Sequence, residues 1–421
     1  MGLVLRRRGL VVGRVCAAGL CSILVLCLGG VGAGAKGKNL AAAGGGSAFH
    51  SATPGWFLQS AAVPSGSTGF LSGVSCTSGA SCTAVGTWSR GDRVGVLVEL
   101  SRGSRWMLER TRPYDAVLSG ASCTARRTCA AVGSIEHGFG QFNLLIRWNG
   151  ARASATPSRP PLNYTDFADL SGVSCASVTA CMAVGSAQDC GDDGCQVIAE
   201  AARWDGSKWS VESIASRPRW YDTGLSAVSC TSATACVAVG YYDITQGCDY
   251  GGSRCVQFPL VERWNGAQWS MQSIAKQGGG SRVGLSGVSC ATMTACTAVG
   301  AFVRGILVEQ WNGSAWSVER IAKPLGGTAI HLVAVSCSSS SACTAVGDFI
   351  DATGQQVPLA ERLADSRWSI QQTPSLAGAT SAVLTGVSCT PTACTAVGGL
   401  IPATASPAVA EPIPLVMRWQ R

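Results

Sequence analysis

Three segments of this sequence place a cation, an aromatic ring and a carboxylate within a few residues of one another. They are Arg112-Pro113-Tyr114-Asp115, Arg159 through Tyr164 to Asp166, and Arg217-Pro218-Arg219-Trp220-Tyr221-Asp222. Such a set can stack a ring on a sugar face and hydrogen-bond its hydroxyls, or it can grip a peptide. The same residues can instead satisfy one another, as an Arg–Asp pair that stiffens a turn after proline. The remaining tyrosines, Tyr241, Tyr242 and Tyr250, and one more tryptophan, Trp88, lie in irregular segments of the same kind. Together these residues are the candidate binding set.

Other chemistry is poorly represented. His50, His137 and His331 are the only histidines; His137 and His331 are expected in loops, and no Gly-x-Ser-x-Gly elbow accompanies them. The glycine runs Gly44–Gly46 and Gly278–Gly280 lack the strand-to-helix setting that a phosphate loop needs. Asp189, Asp192 and Asp193 do not follow the ligand spacing of a calcium loop, so a solvated acidic tip is expected there. No catalytic residue, metal or cofactor is assigned.

Cysteine usage points outward. Cys16, Cys21 and Cys27 lie near the N-terminus, and the other eighteen of the 21 cysteines form close pairs. The pairs are Cys76/Cys82, Cys123/Cys129, Cys175/Cys181, Cys190/Cys195, Cys230/Cys236, Cys248/Cys255, Cys290/Cys296, Cys337/Cys343 and Cys389/Cys394. Without partner histidines this spacing favours disulfides in an oxidising compartment over zinc. The N-terminus agrees. Arg6-Arg7-Arg8 precedes an apolar run from Val15 to Leu28, and Ala33-Gly34-Ala35 suits a signal-peptidase site. Residues 1–35 are expected to be a cleaved signal peptide, with an uncleaved membrane anchor as the alternative, and residues 36–54 a Gly/Ala/Ser-rich flexible leader. A secreted or cell-envelope location follows.

The elements that must position these residues come from an internal repeat. Leu71-Ser-Gly-Val-Ser-Cys76 recurs as Leu118–Cys123, Leu170–Cys175, Leu225–Cys230, Leu285–Cys290, Leu332–Cys337 and Leu384–Cys389. A second cysteine follows each copy and opens a Cys-Thr-Ala-Val-Gly type segment. A third segment ends in Arg-Trp-Asn-Gly or a relative, and a fourth opens with tryptophan, as at Trp209, Trp269 and Trp316. Four short strands, A to D, per repeat of 47–60 residues predict an all-β fold: a β-propeller of seven four-stranded antiparallel blades, with one A–B hairpin disulfide in each. The cysteines that end A and open B are expected to flank a five-residue turn, so that each bond clamps the hairpin there. In the loop-entropy model each bond adds about 2 kcal/mol. The seventh repeat ends after its third strand, at Trp419, while Gly55–Ala61 has the fourth-strand pattern. The N-terminal strand is therefore expected to complete the last blade, so that the propeller spans residues 56–421 and leaves no open sheet edge at the seam.

In these motifs the chain resembles exported bacterial propeller proteins built from LSGVSC, CTAVG and WNGxxW blades. The resemblance covers Trp56 to Arg421. It implies the fold and export, and little about activity, because propellers host binding, scaffolding and catalysis alike.

Repetition also separates scaffold from site. Trp148, Trp204, Trp264, Trp311 and Trp419 close strand C, and Trp56, Trp106, Trp209, Trp269, Trp316 and Trp368 open strand D. Recurrence at one place in most blades assigns them to packing. Trp88, Trp220 and all six tyrosines fall instead in B–C loops or D–A connections, which emerge on one face. Cys190/Cys195 and Cys248/Cys255 would brace two of those B–C loops. The arginines and tyrosines superficially echo propeller sialidases, but the Ser-x-Asp-x-Gly-x-x-Trp box is missing.

Charge excludes one class. The formal net charge of +8 includes Arg6, Arg7, Arg8 and Arg14, and the surplus left is small for so long a chain. Nucleic-acid binding is not expected. The expectation is a monomeric, non-catalytic binding protein for an envelope polysaccharide or protein, meeting the membrane only through an uncleaved N-terminus. A glycan hydrolase or lyase on the same face, or an assembly scaffold with a broad apolar patch on the blade rims, stands as the alternative.

Overall fold

Val, Thr and Ala alternate with Ser and Gly through each repeat, and the computed structural model resolves these stretches as strands. It describes residues 54–109, 111, 115–137, 140–149, 152–158, 167–191, 194–214, 221–244, 256–274, 283–302, 305–403 and 411–420, and before them only 16–17 and 20–21. Strands A are Thr68–Ser78, Ala116–Ala125, Ala168–Ser177, Thr223–Ser232, Val283–Thr292, Thr328–Ser339 and Ala379–Cys389. Strands B are Ser81–Arg90, Thr128–His137, Ala180–Gly191, Ala235–Asp243, Ala295–Phe302, Ala342–Ile350 and Ala393–Pro402. Strands C are Arg93–Arg102, Gly140–Asn149, Gly194–Trp204, Gln257–Trp264, Gly305–Trp311, Gln356–Ala364 and Ile413–Gln420. The outer strands D are shorter: Arg105–Leu108, Arg152–Ser158, Trp209–Glu212, Trp269–Met271, Trp316–Val318 and Arg367–Gln371.

Each repeat is an antiparallel A-B-C-D sheet. The sixth and seventh are linked into one eight-stranded sheet by a single parallel bridge, Gln356 to Ser381. The outermost strand of the seventh is Gly55–Gln59, which pairs antiparallel with Ile413–Gln420 and sets Trp56 opposite Trp419. Segments more than 350 residues apart in sequence thus share a sheet.

The core lies between sheets. Strand B is buried on both faces because neighbouring repeats pack against it. Val237, Val239 and Val261 of the fourth repeat join Leu285, Val288 and Leu307 of the fifth in one cluster. Leu71, Val74 and Leu97 of the first join Val397 and Val416 of the seventh in another. The second serine of each Leu-Ser-Gly-Val-Ser-Cys motif also reaches across. Ser75, Ser122, Ser174, Ser229, Ser289 and Ser336 each accept, at 2.9 Å, the backbone N–H of the cysteine closing strand A in the next repeat. The series returns to its start, since Ser388 of the last repeat accepts the N–H of Cys76. Ser336→Ala leaves the Cys389 N–H unpaired and is expected to cost about 1–2 kcal/mol, read as a lower urea midpoint.

The motif tryptophans are packing groups. Trp204 and Trp209, Trp264 and Trp269, and Trp311 and Trp316 form tilted pairs with ring centres 5.6–5.7 Å apart. Arginines of strand C cover tryptophans of the next repeat, Arg147 over Trp204 at 3.9 Å and Arg362 over Trp419 at 3.7 Å.

Eight of the expected disulfides are present. Seven join strand A to strand B: Cys76–Cys82, Cys123–Cys129, Cys175–Cys181, Cys230–Cys236, Cys290–Cys296, Cys337–Cys343 and Cys389–Cys394. The eighth is Cys190–Cys195. Cys248 and Cys255 lie outside the described residues. The pairing agrees with the spacing, but the turn is shorter than the five residues expected, because strands A and B stay paired beyond the cysteines, to Ser78 and Ser81 in the first repeat. Cys82, Cys129, Cys181, Cys236, Cys296, Cys343 and Cys394 stand at the start of strand B, as expected. Each lies inside strand B, is at most 6% exposed, and belongs to one of the hydrophobic clusters between repeats. The reason is that strand B is covered on both faces, so its first side chains are already core. These sulfurs therefore fill space between repeats as well as closing the hairpin.

Candidate functional site

Antiparallel order puts the A–B and C–D turns, with the hairpin disulfides, at one end of every sheet. The B–C and D–A segments lie at the other. At that second end the third and fourth repeats carry interlocked polar groups. Asp222 Oδ1 accepts the Val197 N–H at 2.8 Å, and Thr223 Oγ1 accepts the Ala199 N–H at 2.9 Å, both across the boundary between the two repeats. The backbones of Tyr221 and Asp243 hydrogen-bond at 3.0 Å, and those of Asp243 and Asp222 at 2.8 Å. The segment leading into the fourth repeat is therefore tied to strands on both sides, with the Tyr221 ring partly exposed, at 37%.

Between the second and third repeats lies a set of groups that the motifs did not reveal. Gln141 Nε2 donates to Ser134 Oγ at 2.7 Å, and Ser134 hydrogen-bonds Asp169. Asn143 Nδ2 donates to Glu200 Oε2 at 2.7 Å. Burial raises the Asp169 carboxyl to about 6, against the Ser134 hydrogen bond that lowers it. Burial also raises Glu200, with the Asn143 hydrogen bond opposing. A carboxyl that is partly protonated near neutral pH can donate as well as accept. Asp169 Oδ1 is buried with no hydrogen-bond partner among the described residues. The available signal was the position just before the Leu-Ser-Gly-Val-Ser motif, where the other repeats carry Phe70, Val117, Gly224, Gly284, His331 and Val383 and only the third carries an acid.

Several expected positions need correction. Trp88, Tyr241 and Tyr242 were expected in B–C loops, but all three lie within strands B, because those strands run past the Cys-Thr-Ala-Val-Gly segment. Their rings are packed. A Cβ on Gly95 would lie 2.6 Å from the Trp88 indole, and one on Gly224 would lie 2.8 Å from the Tyr241 ring. Tyr242 stacks on Phe258 at 5.3 Å and 19°. Cys190 and Cys195 likewise sit at the tip of a B–C hairpin of paired strands, opposite each other in register. Asp115 is exposed. Tyr221, Asp222 and Asp243 come together, whereas Trp88 stays with the first repeat. Arg112, Tyr114, Arg159, Tyr164, Asp166, Arg217, Trp220 and Tyr250 lie outside the described residues.

His331 was expected in a loop and is in strand A of the sixth repeat, with Nδ1 3.4 Å from Asp348 Oδ2. Gln356 Nε2 donates to the same carboxylate at 2.8 Å, and Ser381 Oγ donates to Gln356 Oε1 at 2.8 Å. The hydroxyl in this chain is thus engaged by an amide, which is not the arrangement of an activated nucleophile. No group of three metal-ligating side chains occurs among the described residues. Exposed apolar side chains on strands D, such as Phe57, Met107, Val211, Val318 and Ile370, are spread over five repeats.

No family model and no curated protein matches this chain. Solved structures do. The WD40 β-propeller domain of Doa1 is 9% identical, with a TM-score of 0.48 over 87% of this chain and 97% of that one. The GH74 xyloglucanase from Xanthomonas campestris is 11% identical, at 0.40 over 83% of this chain and 60% of that one. Chaetomium thermophilum Sqt1, bound to the N-terminus of the ribosomal protein L10, is 10% identical, at 0.46 over 84% and 97%. The neighbours are β-propeller proteins, some binding partners and some hydrolases. This chain itself is built of repeated four-stranded antiparallel sheets stapled by disulfides. The disulfides point to an oxidising, extracytoplasmic setting, and no helix among the described residues is long and apolar enough to cross a membrane.

Proposed function

We propose that this chain is an exported, closed propeller of seven blades that binds a cell-envelope glycan or protein, without catalysis, through the loop end of blades two to four. Residues 1–35 act as the signal peptide or anchor and 36–54 as a leader, and the propeller is a monomer. Closure is supported by the Trp56–Trp419 pairing and by the Ser388 to Cys76 hydrogen bond.

The observation that carries the binding assignment is the anchoring of Tyr221-Asp222. An exposed aromatic ring is held next to a carboxylate whose position is set by bonds to two repeats. Rigid presentation lowers the ordering cost of binding. Asp115 and the arginines and tyrosines of the neighbouring connections would extend the same row. A hydroxyl-rich polymer or an extended peptide fits such alternating aromatic and polar contacts.

Replacing Trp220 and Tyr221 together by alanine is expected to abolish binding of the secreted protein to envelope preparations or glycan arrays. The melting temperature should stay within about 2 °C of the parent, as for surface substitutions. Retained binding with the parent's affinity would refute this face.

A further inference from the structure

Positive charge is unevenly spread along the chain. Eight arginines and four acids lie between residues 90 and 127, a surplus equal to the whole positive excess beyond Arg14. Net charge alone conceals this concentration. Two of the arginines, Arg126 and Arg127, form the A–B turn of the second repeat, where other repeats carry small or apolar residues such as Val178-Thr179 or Met293-Thr294.

That turn borders a cavity of about 120 Å³ between the first and second repeats, at the disulfide end and so opposite the loop end discussed above. Its origin is a missing side chain. In the second repeat, the arginine before the strand C tryptophan fills the equivalent groove: Arg147 covers Trp204 and donates to Val178 O at 2.7 Å. The first repeat has Leu100-Ser101 in place of Arg-Trp, and leucine stops short of that seat. The fifth repeat, with Gln310 at this position, has a smaller opening of about 30 Å³ beside Ser340 and no arginine on it.

The first cavity is lined by both cationic and apolar side chains. Leu100, Met107 and Leu108 contribute carbon surface, and Arg102, Arg126 and Arg127 contribute guanidinium groups. Glu109 is the one acid on it, and Arg127 neutralises it through a 3.0 Å bridge. Arg127 does so from a left-handed backbone, φ 62°, a conformation unfavourable for a non-glycine residue. Arg102 and Arg126 are exposed and have no ion-pair partner among the described residues. For scale, a cavity of about 150 Å³ can hold benzene, so this one admits a single compact group.

We propose that this cavity is an oxyanion site. It takes a carboxylate, sulfate or phosphate group, with Arg102 and Arg126 as donors and the leucine and methionine surface against the carbon skeleton that bears the group. The site is independent of the loop end, and either can fail without the other.

The test is calorimetric titration of the full chain with sodium glucuronate, inorganic sulfate and inorganic phosphate, each against sodium chloride at equal ionic strength. Saturable binding of at least one of the three is expected, and the pattern among them names the anion class. Leu100→Arg restores the guanidinium that other repeats carry and should weaken binding at least tenfold while the protein keeps its melting temperature. Arg102→Gln with Arg126→Gln changes only exposed groups and should weaken it as much, which serves as the test if Leu100→Arg does not fold. Heats that match chloride for all three anions, or unchanged affinity in the arginine double variant, would overturn the proposal.

Discussion

Gly300→Ala is expected to destabilise this protein by on the order of 4 kcal/mol, among the largest effects of any single methyl group added to it. In every repeat strand A slips by one residue against strand B, in the fifth between Leu285 and Gly287. The bulge swings the carbonyl of the preceding residue over the glycine that ends Cys-Thr-Ala-Val-Gly. A Cβ on Gly300 would lie 2.0 Å from Gly284 O and 2.8 Å from Leu285 Cα, both backbone atoms that cannot rotate away. The glycine is thus required by close approach, not by its own backbone angles. Gly354→Ala is the control. That residue has φ 84° in a turn with nothing within 4 Å, so only conformational strain of about 1 kcal/mol is at stake. Urea unfolding of both variants decides the matter, and a smaller loss for Gly300→Ala than for Gly354→Ala would show that the bulge can relax.

The second large effect is on pH dependence. Glu99, Glu262, Glu309 and Glu361 occupy one position, two residues before the Trp or its substitute in strand C, and all are fully buried. Glu99 accepts the Ala62 N–H at 2.9 Å, whereas neither oxygen of Glu361 has a hydrogen-bond partner among the described residues. Burial raises both Glu99 and Glu361 from 4.5 to about 7. The folded protein therefore holds these protons more tightly than the unfolded chain does. Their contribution is fully present below pH 4.5 and is lost as pH rises through about 7. Stability should fall between pH 5 and pH 8, with Glu361 accounting for about 3 kcal/mol of the change. The seventh repeat carries Met417 at this position. Glu361→Met is accordingly expected to raise stability at pH 8 by about 3 kcal/mol and to flatten the profile. Denaturant titrations at the two pH values test this, and a variant no more stable than the parent at pH 8 would count against a desolvated carboxyl.

How much of this was legible beforehand depends on whether a residue acts within its repeat or between repeats. The Leu-Ser-Gly-Val-Ser-Cys and Cys-Thr-Ala-Val-Gly motifs specify strands, a hairpin and its disulfide from neighbouring residues alone. The burial of Cys129, Cys181, Cys236 and Cys394 was not legible in that way, because the residues covering them belong to the adjoining repeat. Nothing local marks where strand B stops pairing, which is why Tyr241 and Tyr242 lie in a strand and not in the loop their sequence suggests. Asp169 and Glu200 carry no local mark for a similar reason. Their shifts come from desolvation by the adjoining repeat and from Ser134 and Asn143, partners 35 and 57 residues away.

Sequence by itself determined the repeat, its strand order, the cysteine partners, and the assignment of recurring tryptophans to packing. Tertiary structure alone decided which glycines face a carbonyl, which glutamates lose their water, and which groove stands open. Strand patterns and hairpins are set over about ten or fifteen residues of chain, whereas burial and cavities arise where one repeat meets the next. At those boundaries a leucine in place of an arginine, unremarkable in a list of residues, leaves a space lined by guanidinium groups.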